Sequence, residues 1–103
     1  MTEQEFRLKA DDALERAQRA LMPLADAEGF EIEKQNGVLQ LVFEEPAPTK
    51  FVVSPNAPVR QIWLSAMSRS FKLSWSLASS TFELEGEPLT FLLERLTRQY
   101  LSQ

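Results

Sequence analysis

Apolar residues recur at three- and four-residue steps near both ends of the chain, and at every second position between them. Phe6, Ala10, Ala13, Leu14, Ala17, Leu21 and Leu24 draw one stripe, which predicts an amphipathic helix. Thr2 and Glu5 have capping-box spacing, so this helix begins near residue 3. Pro23 has no N–H to donate, which predicts a kink or stop around Met22, with Gly29 closing what remains. Phe30 and Ile32 then alternate with Glu31 and Glu33, and Leu39, Leu41 and Phe43 alternate on the far side of Asn36-Gly37, a hairpin signature.

The remaining pattern is also strand-like. Residues 44–49, with prolines at 46 and 48, read as a loop, and residues 50–54 as a short strand broken by Pro55-Asn56-Ala57-Pro58. A central strand spans 59–65. It places Ile62 and Leu64 on one face and Gln61, Trp63 and Ser65 on the other. After a polar connector at 66–70, Phe71, Leu73 and Trp75 share one face of the next strand, which predicts that Trp75 is core. A turn at 76–80 leads to a last short strand at 81–84. Gly86-Glu87-Pro88 then opens a second helix, with Pro88 in its first turn and a stripe of Leu89, Leu92, Leu93, Leu96 and Tyr100.

The order is therefore helix, five to six strands, helix. Short connections imply an antiparallel meander. Two helices with one apolar stripe each cover one face of that sheet, leaving the other to water. The expectation is a single α+β domain over residues 1–103, a two-layer sandwich with an antiparallel sheet and terminal helices on one face. The tryptophan of the central strand falls on the uncovered side.

Composition narrows the chemistry. The chain lacks both cysteine and histidine, so it has no thiolate nucleophile, no zinc ribbon and no imidazole base. Any metal must be held by oxygen donors, which favours hard cations such as ferric iron, calcium, magnesium or manganese. No nucleophile–base pair or phosphate loop stands at a motif spacing, and no catalytic residue is assigned. The polar start of the chain is no signal peptide, and no apolar run has membrane-spanning length, so a soluble cytoplasmic protein is expected.

The net charge of −4 is unevenly spread: residues 1–45 hold eleven acids against five bases, and residues 46–103 four against six. Such a balance argues against a nucleic-acid partner and allows a cation or a basic protein surface. On the first helix Glu3, Glu5, Asp12 and Glu15 each precede a base by four residues, the mark of a salt-bridged, solvated face. Asp11 and Glu15 are neighbours there and remain a possible cation pair. Asp26, Glu28, Glu31 and Glu33 have fewer basic neighbours and are the better cation candidates. Among the exposed positions, Trp63 flanked by Gln61 and Ser65 is the type of anchor that dominates interfaces.

These residues resemble the frataxin family, which includes the bacterial CyaY-type iron donor proteins. The likeness spans nearly the whole chain. Its most specific piece is Pro58-Val59-Arg60-Gln61-Ile62-Trp63-Leu64-Ser65, joined by Glu5-Phe6, Ala10-Asp11, Asn36-Gly37-Val38-Leu39, Phe71 to Trp75, and Gly86 with Leu89, Leu92 and Leu93. The resemblance implies an antiparallel sheet backed by two terminal helices, the architecture already reached. It further implies a monomer that binds iron (Fe²⁺ or Fe³⁺) weakly through surface carboxylates. Such a protein docks on the cysteine desulfurase and scaffold complex by its open sheet face, modulating iron–sulfur cluster assembly.

The matching docking positions are Gln61 and Trp63, with Ser65, Arg60 and Lys72 around them, and Glu31 is the match on the acidic ridge. The chain departs from the family pattern elsewhere: Gln18, Arg19, Met22, Pro23 and Ala25 stand where ridge carboxylates usually do. Ser54 replaces an asparagine, Ser74 an aspartate, and Ser80 or Thr81 the aromatic that opens the final strand. Two expectations compete, an iron-binding accessory of cluster assembly and a protein-binding module of the same fold that has lost iron binding. A ferroxidase-like activity would require bound iron.

Overall fold

The computed structural model describes residues 1–103. Helix α1 (Glu3–Glu28) is followed by seven strands, β1 (Glu31–Gln35), β2 (Val38–Phe43), β3 (Thr49–Asn56), β4 (Gln61–Ala66), β5 (Arg69–Ser76), β6 (Thr81–Leu84) and β7 (Glu87–Pro88), then by helix α2 (Leu89–Leu101). The strands form one sheet in chain order, every neighbouring pair antiparallel. This is the expected two-layer sandwich, with more strands than the five to six foreseen because the two-residue β7 extends it.

The core forms where alternate strand positions meet the helix stripes. Leu39, Leu41, Phe43, Phe51, Val53, Ile62, Leu64, Leu73 and Phe82 are buried beneath Phe6, Leu14 and Leu21 of α1 and Leu89, Leu92, Leu93 and Leu96 of α2, in one cluster of 24 residues. The register Leu41↔Phe51 and Val53↔Leu64↔Phe71 keeps the apolar positions on that face, since a slip of one residue would turn every one of them to water. At the start of α1 the capping box forms: the Glu5 N–H donates to Thr2 Oγ1, and the Thr2 N–H to Glu5 Oε1. That Thr2 backbone bond holds the Glu5 carboxyl below its ordinary pKa.

Several expected boundaries shift. α1 runs through Pro23 without ending. Pro23 is exposed, so the Arg19 carbonyl it leaves free meets water, while buried Leu21 and Ala25 pin the chain on either side. β3 likewise continues through Pro55. Its pairing with β2 ends at Val53, so the proline lies where the strand has a neighbour on one side only. Residues 57–59 form a single 3-10 turn, so the central strand begins at Gln61 and not at Val59. The supposed connector at 66–70 is mostly strand, joined by a tight hairpin turn at Met67-Ser68, both left-handed with φ 51° and 61°. Pro88 precedes α2 as its N-cap and belongs to β7.

Trp75 is only partly buried. It packs edge-on against Phe82 with ring centroids 5.1 Å apart, and the ammonium of Lys9, not an apolar side chain, lies over its face. No helix is long and apolar enough to cross a membrane.

Candidate interaction surface and acidic edge

Parity places Gln61, Trp63 and Ser65 on the side of β4 away from the helices, opposite buried Ile62, Leu64 and Ala66. Trp63 is 37% exposed at the middle of the sheet, with Ser54 of β3 and Lys72 of β5 as its cross-strand partners. The indole Nε1–H donates to Gln61 Oε1 at 3.0 Å, and Gln61 Nε2 donates in turn to Ser74 Oγ at 3.3 Å. Lys72 Nζ stands 5.0 Å from the Trp63 ring centroid, close enough for a cation–π contact. The ring is therefore held by two neighbours while its surface stays open, an arrangement that reduces the rotamer entropy lost on binding.

Ser65 is exposed one step further along β4, between Val52 and Ser70. Arg60 stands apart from this row. It lies off the strand in the left-handed region with φ 54°, and its guanidinium donates to the carbonyls of Ala57 and Met1. Its side chain thus buttresses the turn that leads into β4. Ser74, which the sequence marks only as standing where the family has an aspartate, holds Gln61 because the β4–β5 register sets the two side by side, and the order of residues alone does not give that register.

The acids divide into two groups. Asp11 and Glu15, neighbours on α1, are both engaged: Asp11 Oδ1 accepts from Lys34 Nζ at 2.7 Å, and Glu15 Oε1 from Arg19 at 2.8 Å. The pairing of Asp11 with Lys34 crosses from α1 to β1 and neutralises the one base that residues 26–45 hold against six acids. Glu31 and Glu33 are exposed on the open-face side of edge strand β1. Asp26 and Glu28 lie in the last turns of α1, which carry no basic residue, at the negative end of the helix dipole.

These four have no salt-bridge partner, yet no three acidic side chains converge anywhere into a group able to hold a metal. Hard oxygen donors are present, but they do not assemble the coordination sphere of a resident metal centre. Iron at this edge would be cargo on one or two surface carboxylates.

Fold and site together define a two-layer α+β domain with an uncovered sheet face, an oriented tryptophan at its centre and a carboxylate-rich edge. Comparison with known proteins agrees: residues 1–103 match the family described as Frataxin-like domain. The chain belongs to the frataxin family. It is 36% identical over 70 residues to the iron-sulfur cluster assembly protein CyaY of Pseudomonas aeruginosa, an alignment covering 66% of this chain and 63% of that protein. It is 32% identical over 73 residues to the CyaY of a Janthinobacterium species, covering 69% and 64%. The chain thus spans just under two thirds of these two relatives. With the CyaY of Pseudomonas fluorescens it shares 30% identity over 92 residues, 85% of this chain and 82% of the relative. Among solved structures, the frataxin of Psychromonas ingrahamii superposes with a TM-score of 0.64 at 20% identity, covering 96% of this chain and 91% of that one. That likeness concerns the fold.

Proposed function

We propose that this chain is an accessory protein of iron–sulfur cluster assembly that works in the cytoplasm by docking on the cysteine desulfurase–scaffold complex through its open sheet face. The observation that carries this reading is the Trp63 ring, exposed yet fixed by Gln61 and Lys72 on a face no helix covers. The names of its relatives supply the pathway. In this reading Trp63 is the anchor, Gln61 and Lys72 hold it and contact the partner, and Ser65 extends the contact. Arg60 positions the turn before the strand. No chemical step is assigned to the chain itself.

The test is binding of the purified protein to a cysteine desulfurase–scaffold complex, measured by calorimetry. Trp63→Ala should weaken it by more than about 2 kcal/mol, roughly thirtyfold. Phe91→Ala, which removes an exposed ring from α2, should not change it. Unchanged affinity of the Trp63 variant sinks the docking reading.

Weak iron binding at Glu31, with Glu33 beside it and Asp26 and Glu28 near the preceding turn, is the finer part of the proposal. The competing reading, docking without iron, is favoured by the engagement of Asp11 and Glu15 with Lys34 and Arg19. Titrating Fe²⁺ or Fe³⁺ while following amide signals separates the two. Shifts confined to residues 26–33 support the iron site, and their absence throughout the titration supports the iron-free module.

A further inference from the structure

A second surface lies at the end of the sheet, on the helix side, around Trp75. Two clefts of about 440 and 670 Å³ meet there, and both are lined by Lys9, Trp75 and Ser80. The first lies between the N-terminal half of α1 and the loop joining β5 to β6, with Leu8 on its rim; the second continues past Val59, Arg60 and Leu77. Seven large apolar side chains stand exposed on the molecule, and Met1, Leu8, Val59 and Leu77 among them all line these two clefts, Leu77 being 89% exposed. Exposed apolar side chains scattered singly need no explanation, but a concentration of them around a concave floor marks an interaction site.

The charges indicate what would fill it. Of the acids on the groove, Asp12 is bridged by Arg16 at 2.8 Å, and Glu5, which takes the Thr2 N–H, also feels the charge of Lys9 one turn along. Neither Lys9, whose ammonium rests 4.6 Å from the Trp75 ring centroid, nor Arg60, whose guanidinium meets only carbonyls, forms a salt bridge. Lys9, Arg16 and Arg60 thus stand against Glu5 and Asp12 on the groove, a slight local excess of positive charge beside an apolar floor in a protein of net charge −4. A purely apolar occupant would leave Lys9 and Arg60 facing a desolvated surface, and a basic one would be repelled.

We infer that this groove is a docking site for a short peptide segment of a partner protein in which apolar side chains stand next to aspartate or glutamate. The apolar residues occupy the clefts on either side of Trp75, and the carboxylate meets Lys9 or Arg60. The site is separate from the Trp63 row and does not rest on the docking proposed for it, although Ser74 lines the second cleft and also holds Gln61.

The experiment is a random-peptide display selection on the full chain, counter-selected on a Leu8→Asp/Leu77→Asp variant. Both of these side chains are largely exposed, so the variant keeps its fold. Selected peptides are then synthesised and titrated into the isotope-labelled protein. Expected are sequences enriched in acids beside apolar residues, shifting the amides of Lys9, Leu77 and Ser80 and the Trp75 indole signal. Lys9→Glu should weaken them at least about tenfold, and Trp63→Ala should leave them unchanged. The inference is overturned by a selection no richer than on the counter-selecting variant, by enrichment of basic peptides, or by shifts centred on Gln61 and Trp63. It is also overturned if the groove signals move with protein concentration alone, which would make a second copy the occupant.

Discussion

Thr97 is the one buried polar residue of the chain, 0% exposed on the inward face of α2 between Leu93, Leu96 and Tyr100, and its Oγ1 has no hydrogen-bond partner. Burying an unpaired hydroxyl costs roughly 1–3 kcal/mol on the scale of protein substitutions. Valine has nearly the same shape and a similar helix propensity, so Thr97→Val removes that cost without opening a cavity. The expected gain is about 1–2 kcal/mol, or a rise in Tm of about 4–8 °C for each kcal/mol in a domain of this size. Thr97→Ser is the control. It keeps the hydroxyl and loses a buried methyl, and should cost about 1 kcal/mol. Urea unfolding followed by circular dichroism reads both, with the slope of the transition unchanged. A Thr97→Val protein no more stable than the parent would refute the reasoning, because it would mean that the hydroxyl finds a partner in solution, the Leu93 carbonyl or a trapped water.

Three further outcomes are expected. Ser68→Gly relieves a side chain held at φ 61° in the Met67-Ser68 hairpin turn and should stabilise the fold by about 0.5–1 kcal/mol in urea melts. Pro23→Ala should restore a hydrogen bond to the Arg19 carbonyl on the exposed face of α1; against the roughly 3 kcal/mol cost of an interior proline stands its restriction of the unfolded chain, leaving a net gain of about 1–2 kcal/mol. The two bonds from Arg95 to Glu87, each 2.9 Å, hold the Glu87 carboxyl below its ordinary 4.5. Their contribution is therefore fully present above that value and lost as pH falls through the lowered one. Glu87→Gln should cost less than about 1 kcal/mol at pH 7, and the difference from the parent should vanish in melts carried out well below pH 4.

What the sequence discloses about this fold follows from parity. Ile62 and Leu64 against Gln61, Trp63 and Ser65 assign both faces of β4 without any knowledge of neighbours, and Asn36-Gly37 marks its hairpin because those residue types favour the left-handed turn. The Met67-Ser68 turn has the same backbone form with residues that do not prefer it, so only its strand partners reveal it. Parity also put Trp75 on the helix side, which is correct. How deeply it is buried depends instead on which α1 residue lies above it, and that residue is Lys9. The capacity of a side chain to reach a partner far along the chain is invisible for the same reason: Asp11 and Lys34 are 23 residues apart.

The charged residues show how this limit bears on function. Of eleven lysines and arginines, six are bridged to carboxylates, four of these six by the i,i+4 pairs of the helices. Of the five that are not, Lys9, Arg69 and Lys72 lie over Trp75, Phe71 and Trp63. A cation on a ring is oriented, but its charge is not cancelled, so it remains available to an approaching carboxylate. A helix spacing rule finds the i,i+4 pairs and so locates charge that is already spent on the fold. The uncancelled charge is set by which element lies beside which, and it includes one cation at each tryptophan, Lys9 at Trp75 and Lys72 at Trp63, on opposite sides of the sheet. Lys72 is exposed and Lys9 half-buried, so contacts made through the two are separable by salt. Raising salt should weaken any binding through Lys72 more than binding through Lys9, because exposed charges are screened more than partly buried ones.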